Sequence, residues 1–446
     1  MKLGFKETSK GLIVKYKTKS FKLEYPENLW QQFPVGTKHA LFDNLAYLLT
    51  INTPLVAKKN SVEYNTDLPY FKSFFDKMVL YSIPEAVEDY KQTSLEVMRQ
   101  FMNTKRIFKS TDVKVPKYNS KLGERAITAM GFGKDSLLSF GVARELGLNP
   151  IPVYINDTVS PSENKIKLSF FKKISKEFGV KPLVVINEIE KLNDFEYWDQ
   201  DETYLGYTHM MTSFMMVSIP LIHKFNAKYV VVGNQQDYNF RFTNKDGFIT
   251  GPSFDQTPEW MKQENIILKS FMGAQAGLIS LIEPLTNIAE TKILFSRYPE
   301  LAKYQMTCAG LDASEEPRWC CKCTQCASSA LYMQALGIDL KKVELKSKFM
   351  GKKDTKFFSL FGGKEADADC KPPEARDQQL LAFYMAYKKG VKGHLIDLFK
   401  KKYLKKAKSR YRELHKKFFK VYPSTTMPKH IKKKVESIYK QELEKW

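Results

Sequence analysis

The fold is decided by residues 126–147, which read AITAMGFGKDSLLSFGVARELG. The apolar run AITAM predicts a short buried strand, and LLSFGVARELG has helical spacing and ends at Gly147, which suits a helix C-cap. Between them, residues 131–136 read GFGKDS. Glycines let the backbone turn tightly and approach a ligand, and the first turn of a helix offers free N–H groups to an anion. The stretch therefore predicts a strand, an anion-binding loop and a helix in succession.

The same alternation of strand and helix continues downstream. Three further apolar runs predict strands, at 151–156, 181–186 and 228–232. Two segments between them have helical spacing, at 165–178 and 208–224. This spacing indicates βαβ units and predicts an α/β protein with a doubly wound parallel sheet. Ligands of such sheets bind beyond the carboxyl ends of the strands, where the GFGKDS loop, Asn156 with Asp157, and residues 233–237 fall.

Charge and composition divide the chain into three predicted parts. Residues 1–120 predict a small α+β domain, 121–340 hold the sheet and every motif, and 341–446 predict a Lys-rich, mostly helical segment. The formal net charge is +22, and the last segment alone carries 30 basic and 12 acidic residues, or +18. By contrast, residues 126–340 carry −4. We expect either a solvated basic face or a polyanion contact from the last segment, and no nucleic-acid groove around the loop.

Hydrophobic residues make up 43% of the chain, which excludes wholesale disorder. The longest mostly apolar stretch, residues 210–222, is shorter than the roughly 20 residues of a membrane-spanning helix. The N-terminal residues lack the apolar core of a secretion signal. We therefore predict a cytoplasmic protein without a transmembrane segment.

Five of the six cysteines fall within nineteen residues. Cys308, Cys320, Cys323 and Cys326 supply four thiolates, enough for one tetrahedral Zn²⁺, and we predict a structural zinc site. An iron–sulfur cluster is the main alternative, because C-x2-C-x2-C also opens ferredoxin-type runs. Unligated thiols are a third possibility. Cys321 is the spare cysteine and an alternative ligand.

The glycine loop is neither a Walker A loop nor a dinucleotide fingerprint, since Ser136 occupies the third glycine position of the latter. It resembles the PP-loop, S-G-G-x-D-S, of the N-type ATP pyrophosphatases through Gly133, Asp135 and Ser136. Gly131 stands for the usual Ser and Phe132 for the usual Gly. Phe132 places a Cβ where the backbone normally approaches phosphate. An ordinary strand–helix turn is the alternative interpretation.

The order of the later motifs is similar to one family with such a loop, the ATP-dependent UDP-N-acetylmuramoyl-L-alanyl-L-glutamate epimerases (MurL). The segments that stand for its motifs are GYTHMMTS at 206–213, GNQQDYN at 233–239, EPLT at 283–286, TCA at 307–309 and WCCKCTQC at 319–326. The resemblance covers about residues 20–390. At 235–237, Gln-Gln-Asp replaces the family's Glu-Arg-Ser. This difference affects the expected muramoyl-peptide substrate more than the expected reaction with ATP. The second choice is 7-cyano-7-deazaguanine synthase, which ends in a similar four-cysteine zinc site.

This resemblance implies an enzyme that uses ATP and Mg²⁺ to adenylate the carboxylate of a small molecule or peptide. In the epimerase family, the activated carboxylate then permits inversion of the adjacent α-carbon of a glutamyl peptide. The implied ATP-binding residues are Gly131, Phe132, Gly133, Lys134, Asp135, Ser136, Asn156, Gly233, Asn234 and Asp237.

Three residues receive an implied catalytic role from the same resemblance. Lys134 is the cation near the leaving group, Asp135 orients Mg²⁺ or the loop, and His209 is the base or a substrate contact. The adenylation step alone would equally serve a ligase or a base-modifying synthase. The non-enzymatic alternative is a binding protein that is stabilised by the zinc site and has lost the reaction with ATP.

Overall fold

The structure is a computed structural model of the chain and describes residues 1–118, 121–308, 310–311, 318–366 and 370–445. In chain order the strands are β1 (Lys2–Thr8), β2 (Gly11–Tyr16), β3 (Lys19–Glu24), β4 (Ser61–Tyr64), β5 (Asp67–Leu68), β6 (Lys105–Ile107), β7 (Ser110–Val113), β8 (Gly123–Ala129), β9 (Ile151–Asn156), β10 (Leu183–Asn187), β11 (Ala227–Val232), β12 (Phe242–Thr243), β13 (Ile249–Thr250) and β14 (Gly277–Ser280).

The helices, in the same order, are α1 (Leu29–Gln32), α2 (Val35–Leu48), α3 (Thr53–Val56), α4 (Lys72–Ala86), α5 (Ser94–Asn103), α6 (Lys134–Glu145), α7 (Pro161–Phe178), α8 (Met210–Val217), α9 (Ile219–Phe225), α10 (Pro258–Met272), α11 (Asn287–Arg297), α12 (Pro299–Ala302), α13 (Thr324–Leu336), α14 (Pro373–Lys388), α15 (His394–Lys402), α16 (Leu404–Phe418) and α17 (Lys429–Glu444).

Ten strands form one sheet in the order β14-β11-β8-β9-β10-β3-β2-β1-β4-β6. The first five of these are parallel to one another. When these five strands are numbered 1 to 5 in chain order, starting from β8, their order across the sheet is 3-2-1-4-5. The direction of winding reverses between β8 and β11. Their apolar runs, such as AKYVVV in β11, suit strands that are covered on both faces. The α/β class and the mostly parallel sheet are confirmed.

The N-terminal strands extend this same sheet. Strand β3 pairs antiparallel with β10, β1 to β3 form a meander, and β4 and β6 continue in parallel beyond β1. One hydrophobic cluster contains Leu12 and Val14 of β2 together with Val185 of β10 and Val230 of β11. Sheet and core therefore run across residue 120. The domain boundary there stays a prediction.

The C-terminal helices lie on the opposite side of the sheet, where α15 and α16 pack against α14 and α17 packs against α11. Leu395, Phe399, Leu414 and Phe418 are buried in the cluster that also holds the core residues of α6. The Lys-rich residues of α15 and α16 lie on the outer side of these helices, because the apolar positions face inward. The segment is thus a structural part of the fold that presents a basic surface.

The stretch Leu205–Phe225, which includes α8 and α9, has 21 residues and a mean hydropathy of 1.2. By length and composition it meets the requirement for a membrane-spanning helix, but 83% of the apolar window is buried inside the fold. Such burial is typical of a core helix. The predicted cytoplasmic location is not tested by this observation and stays a prediction.

Candidate functional site

The glycine loop lies at the point where the strand order reverses. It follows β8, whose two neighbours are β9 on one side and β11 on the other. Helix α6 begins directly after Gly133, which is its N-cap and supplies no side-chain cap. The first backbone N–H groups of α6, at Lys134, Asp135 and Ser136, therefore have no partner within the helix. A switch point combined with a helix N-terminus is a favourable place for an anionic ligand.

Phe132 adopts the left-handed conformation that glycine usually supplies. Its φ is 60°, and its ring is buried edge-on against Phe170 and Phe171, with centroid distances of 5.3 and 5.1 Å. Its carbonyl oxygen accepts a 2.7 Å hydrogen bond from the Met306 backbone N–H. The residue that departs most from the PP-loop pattern thus places its side chain in the core, behind the loop.

Close packing requires glycine at position 233 of the site, whereas position 133 has room for a Cβ. A Cβ on Gly233 would lie 2.9 Å from the Cβ of Asp135, so the end of β11 and the start of α6 approach too closely for a side chain. A Cβ on Gly133 would lie 3.7 Å from Thr307 Oγ1. The structure therefore brings the loop, the end of β11 and the segment before Cys308 together.

Lys134 is buried beneath the loop among acids and amides. Its ammonium donates to the Asp135 carboxylate, lies 3.0 Å from Glu290 Oε2 in α11 and donates to Gln235 Oε1 at 3.0 Å. Burial alone would lower the pKa of Lys134, but the charges of Asp135 and Glu290 outweigh it and raise the pKa. Lys134 is therefore a permanent buried cation.

The acids around Lys134 differ in charge state. Burial raises the pKa of Glu290 well above its ordinary range. Burial also acts on Asp135, but the Lys134 charge and hydrogen bonds outweigh it and lower the pKa of that carboxyl group. Burial raises the pKa of Asp237 to about 6, although Gln378 Nε2 donates to it at 2.7 Å. Asp135 is the most acidic of the three.

Asn234 has the least satisfied side chain of the predicted ATP site. It is 2% exposed, and neither its Oδ1 nor its Nδ2 has a hydrogen-bond partner among the described residues. Its main-chain oxygen accepts a 2.5 Å hydrogen bond from Ser280 Oγ. A buried, unpaired amide costs stability, so it marks a place where a ligand or water would supply the missing bonds. Asn156, by contrast, uses its Oδ1 to accept from Thr158 N at 3.2 Å in a local turn.

His209 belongs to a different cluster from Lys134. It is fully buried directly before α8; its Nδ1 lies 3.2 Å from Asn52 Nδ2, and its Nε2 lies 3.5 Å from Asn193 Nδ2 and 3.6 Å from Glu190 Oε1. These partners lie after α2 and after β10, and they share no residue with the partners of Lys134. The structure therefore does not bring the three predicted catalytic residues into one contact network.

The four predicted metal ligands lie together. The sulfur atoms of Cys308, Cys320, Cys323 and Cys326 are all within 4.8 Å of one another. Cys326 Sγ is 3.8 Å from Cys320 Sγ and 3.4 Å from Cys323 Sγ. A tetrahedron with Zn–S bonds of about 2.3 Å has edges of about 3.8 Å. The spacing suits a single tetrahedral ion, whereas a multi-iron cluster would place further atoms between the thiolates.

Backbone N–H groups support these thiolates. The N–H of Cys320 points to Cys308 Sγ at 3.2 Å, and that of Lys322 points to Cys320 Sγ at 3.3 Å. Such hydrogen bonds stabilise thiolate sulfur and tune a bound metal. Cys321, with a φ of 54°, is not part of the group. Ala309 of the TCA motif lies outside the described residues.

One residue of the site could not be recognised in the sequence. Glu290 is one acid in an amphipathic helix and carries no local signal, so it is identified only by its contact with Lys134. Gln235 lies in the quoted segment 233–239, but its contact with Lys134 could not be predicted.

No family model matches this chain, and no curated protein matches it significantly. The family resemblance therefore rests on the quoted motifs and their order.

Proposed function

We propose that the chain is a PP-loop ATP pyrophosphatase that transfers AMP to a substrate carboxylate and releases pyrophosphate. The observation that carries the proposal is the position of the glycine loop. The loop follows β8, the first strand in chain order of the parallel 3-2-1-4-5 set, and lies at the point where the strand order reverses. Helix α6 begins directly after Gly133 of the loop. These features are the ones that bind nucleotide phosphates in doubly wound folds.

The roles of the chain's own residues follow from this placement. The free N–H groups of the first turn of α6 would bind the pyrophosphate portion, while buried Lys134 holds a positive charge beneath it. A carboxylate oxygen attacks the α-phosphorus, and the bond to the bridging oxygen breaks, so that pyrophosphate leaves with its electron pair. The unpaired amide of Asn234 is suited to donate to and accept from the base or ribose.

A magnesium ion fits the oxygen donors near Lys134. Asp135 supplies an ionised carboxylate, which hard cations prefer, and the carboxyl group of Glu290, whose pKa burial raises, lies beside it. When bound, Mg²⁺ would neutralise phosphate charge. Asp135, whose lowered pKa keeps it ionised, would be its main protein contact.

Epimerisation would need a base after adenylation. The adenylated carbonyl withdraws electrons and makes the adjacent α-proton more acidic than in the free carboxylate. His209 is the candidate because the resemblance places it in the GYTHMMTS segment. Because His209 is fully buried beside Glu190, the side chains around it would have to move before a substrate could reach it.

The experiment is a product assay with ATP, Mg²⁺ and a panel of carboxylates that includes muramoyl-peptides, glutamyl peptides and a deazapurine carboxylate. AMP and pyrophosphate, formed only with one carboxylate class, are the expected products. The Ser136→Ala variant should lose this activity, and Gly36→Ala, an exposed site in α2 with open space around its Cα, should keep it. Formation of ADP would contradict the proposal.

A further inference from the structure

A groove of about 530 Å³ runs along the free edge of the sheet beside β14. Its floor includes Tyr229 of β11 with Gly277 and Ile279 of β14, and its sides come from α10 and residues 425–430. The volume lies in the range of small-molecule sites. Tyr229 and Gly277 are at the amino ends of their strands, whereas the glycine loop follows the carboxyl end of β8. The groove is therefore separate from the candidate ATP site.

The lining of this groove is basic. It contains Lys228, Lys262, Lys269 and His430 and no Asp or Glu. Lys228 pairs with Glu124 at 2.6 Å, but Lys262 and Lys269 form no ion pair with the residues that the structure describes. These two lysines are seven residues apart on α10, so they share one face about two helical turns from each other. Two uncompensated ammonium groups thus face one cavity.

Neutral donors add to this charge. The Tyr229 side chain is 2% exposed, and its hydroxyl has no hydrogen-bond partner within 3.5 Å among the described residues, although it interacts with the ammonium of Lys228. A Cβ on residue 277 would contact the ring, at 3.5 Å from Tyr229 Cδ1. Because residue 277 is glycine, this part of the ring is left uncovered. Helix α17 begins after Pro428, which lines the groove, so its unpaired first N–H groups open at the same place. Cations, a buried hydroxyl and a helix N-terminus all suit an anion.

We propose that this groove binds a small phosphate monoester whose organic part is flat or apolar. The phosphate would bind between Lys262, Lys269 and the start of α17, and the organic part would pack on Tyr229 and Ile266. Ile266 is 49% exposed and makes an apolar wall beside the lysines. The size of the groove favours a small molecule over a nucleic-acid strand, which would follow an extended charged surface. This site is independent of the proposed ATP reaction.

Phenyl phosphate is a suitable probe, titrated calorimetrically into the full chain. We expect one saturable site, weakened about tenfold by Lys262→Gln/Lys269→Gln and about as much by Gly277→Val, which fills the groove without a charge change. The matched pair Lys405→Gln/Lys408→Gln removes the same charge from the exposed face of α16 and should leave the affinity within about twofold.

Four outcomes would overturn the proposal. They are the absence of saturable binding, equal weakening by both lysine pairs, an affinity that Gly277→Val leaves unchanged, and displacement of the probe by ATP together with loss of binding in Ser136→Ala. The last result would place the probe at the glycine loop. Binding of a short single-stranded oligonucleotide that depends on the lysines but not on Gly277 would assign these cations to a nucleic-acid surface instead.

Discussion

The backbone N–H of Met306 donates a 2.7 Å hydrogen bond to the carbonyl oxygen of Phe132. Phe132 is the second residue of the glycine loop, and Met306 is two residues before Cys308, the first of the four clustered cysteines. Thr307, which lies between Met306 and Cys308 in the chain, has its side chain next to Gly133. The segment that leads into the cysteine cluster therefore contacts the loop, so a metal bound by the four cysteines would help to hold the candidate active site in place.

The first prediction concerns the metal. We expect about one zinc ion per chain by elemental analysis, because four thiolates at this spacing suit one tetrahedral ion. Cys323→Ser should lose the metal and lower the melting temperature, since metal binding stabilises the folded chain. Cys321→Ser is the matched control and should keep the ion. Iron with acid-labile sulfide, or metal loss in Cys321→Ser, would contradict this interpretation.

The second prediction concerns Phe132, whose buried ring stabilises the fold while its left-handed backbone conformation destabilises it. Removing a buried Phe side chain costs about 3–5 kcal/mol of unfolding free energy. At a φ of 60°, however, glycine is favoured over alanine by about 1 kcal/mol. Phe132→Gly should therefore be more stable than Phe132→Ala by about 1 kcal/mol in urea denaturation. The reverse order, which is usual for buried positions, would show that the left-handed conformation is wrong.

The third prediction tests the buried contact between Lys134 and Glu290, which lie 3.0 Å apart. Lys134→Met leaves acids without their cation and should cost about 3–5 kcal/mol, whereas Lys134→Met/Glu290→Met should recover part of this loss. Lys181→Met removes an exposed ion pair with Glu27 and should leave the free energy of unfolding nearly unchanged. Additive effects of the two core substitutions in urea denaturation would contradict direct coupling.

The fourth prediction is a pH dependence at Asp255, whose pKa burial raises to about 6. In the unfolded chain the value is about 3.9, so between these values the folded protein keeps a proton that the unfolded chain has lost. The free energy of unfolding therefore falls as the pH rises from about 4 to about 6. Above about pH 6 the total loss from Asp255 is about 3 kcal/mol.

Asp255→Asn removes this penalty and still accepts the 3.0 Å hydrogen bond from Met211 N. The free energy of unfolding of the variant, relative to the unsubstituted protein, should therefore increase by about 3 kcal/mol between about pH 4 and pH 7. Urea titrations at several pH values measure it. A difference that does not change with pH would show that Asp255 titrates normally.

The sequence predicts those parts of the structure that have a local signal. The alternation of apolar runs and helical segments predicts four of the five parallel strands, β8 to β11, but not β14, and the spacing of the cysteines predicts their cluster. The extension of the sheet by β1 to β3 has no such signal, because pairing between Glu24 and Ile186 joins strands far apart in the chain. The same holds for Lys134 and Glu290, which are 156 residues apart. Gln378, which binds Asp237 from α14, is a third example.

The test of ATP binding at the glycine loop needs no knowledge of the acceptor. It is a calorimetric titration of the full chain with Mg²⁺ and an ATP analogue whose α,β-bridging oxygen is replaced by methylene. We expect one site per chain that Gly133→Val abolishes, because a side chain there blocks the first turn of α6. Gly36→Val, with open space around it, should bind like the unsubstituted protein. No saturable binding, or equal binding by Gly133→Val, would contradict the account.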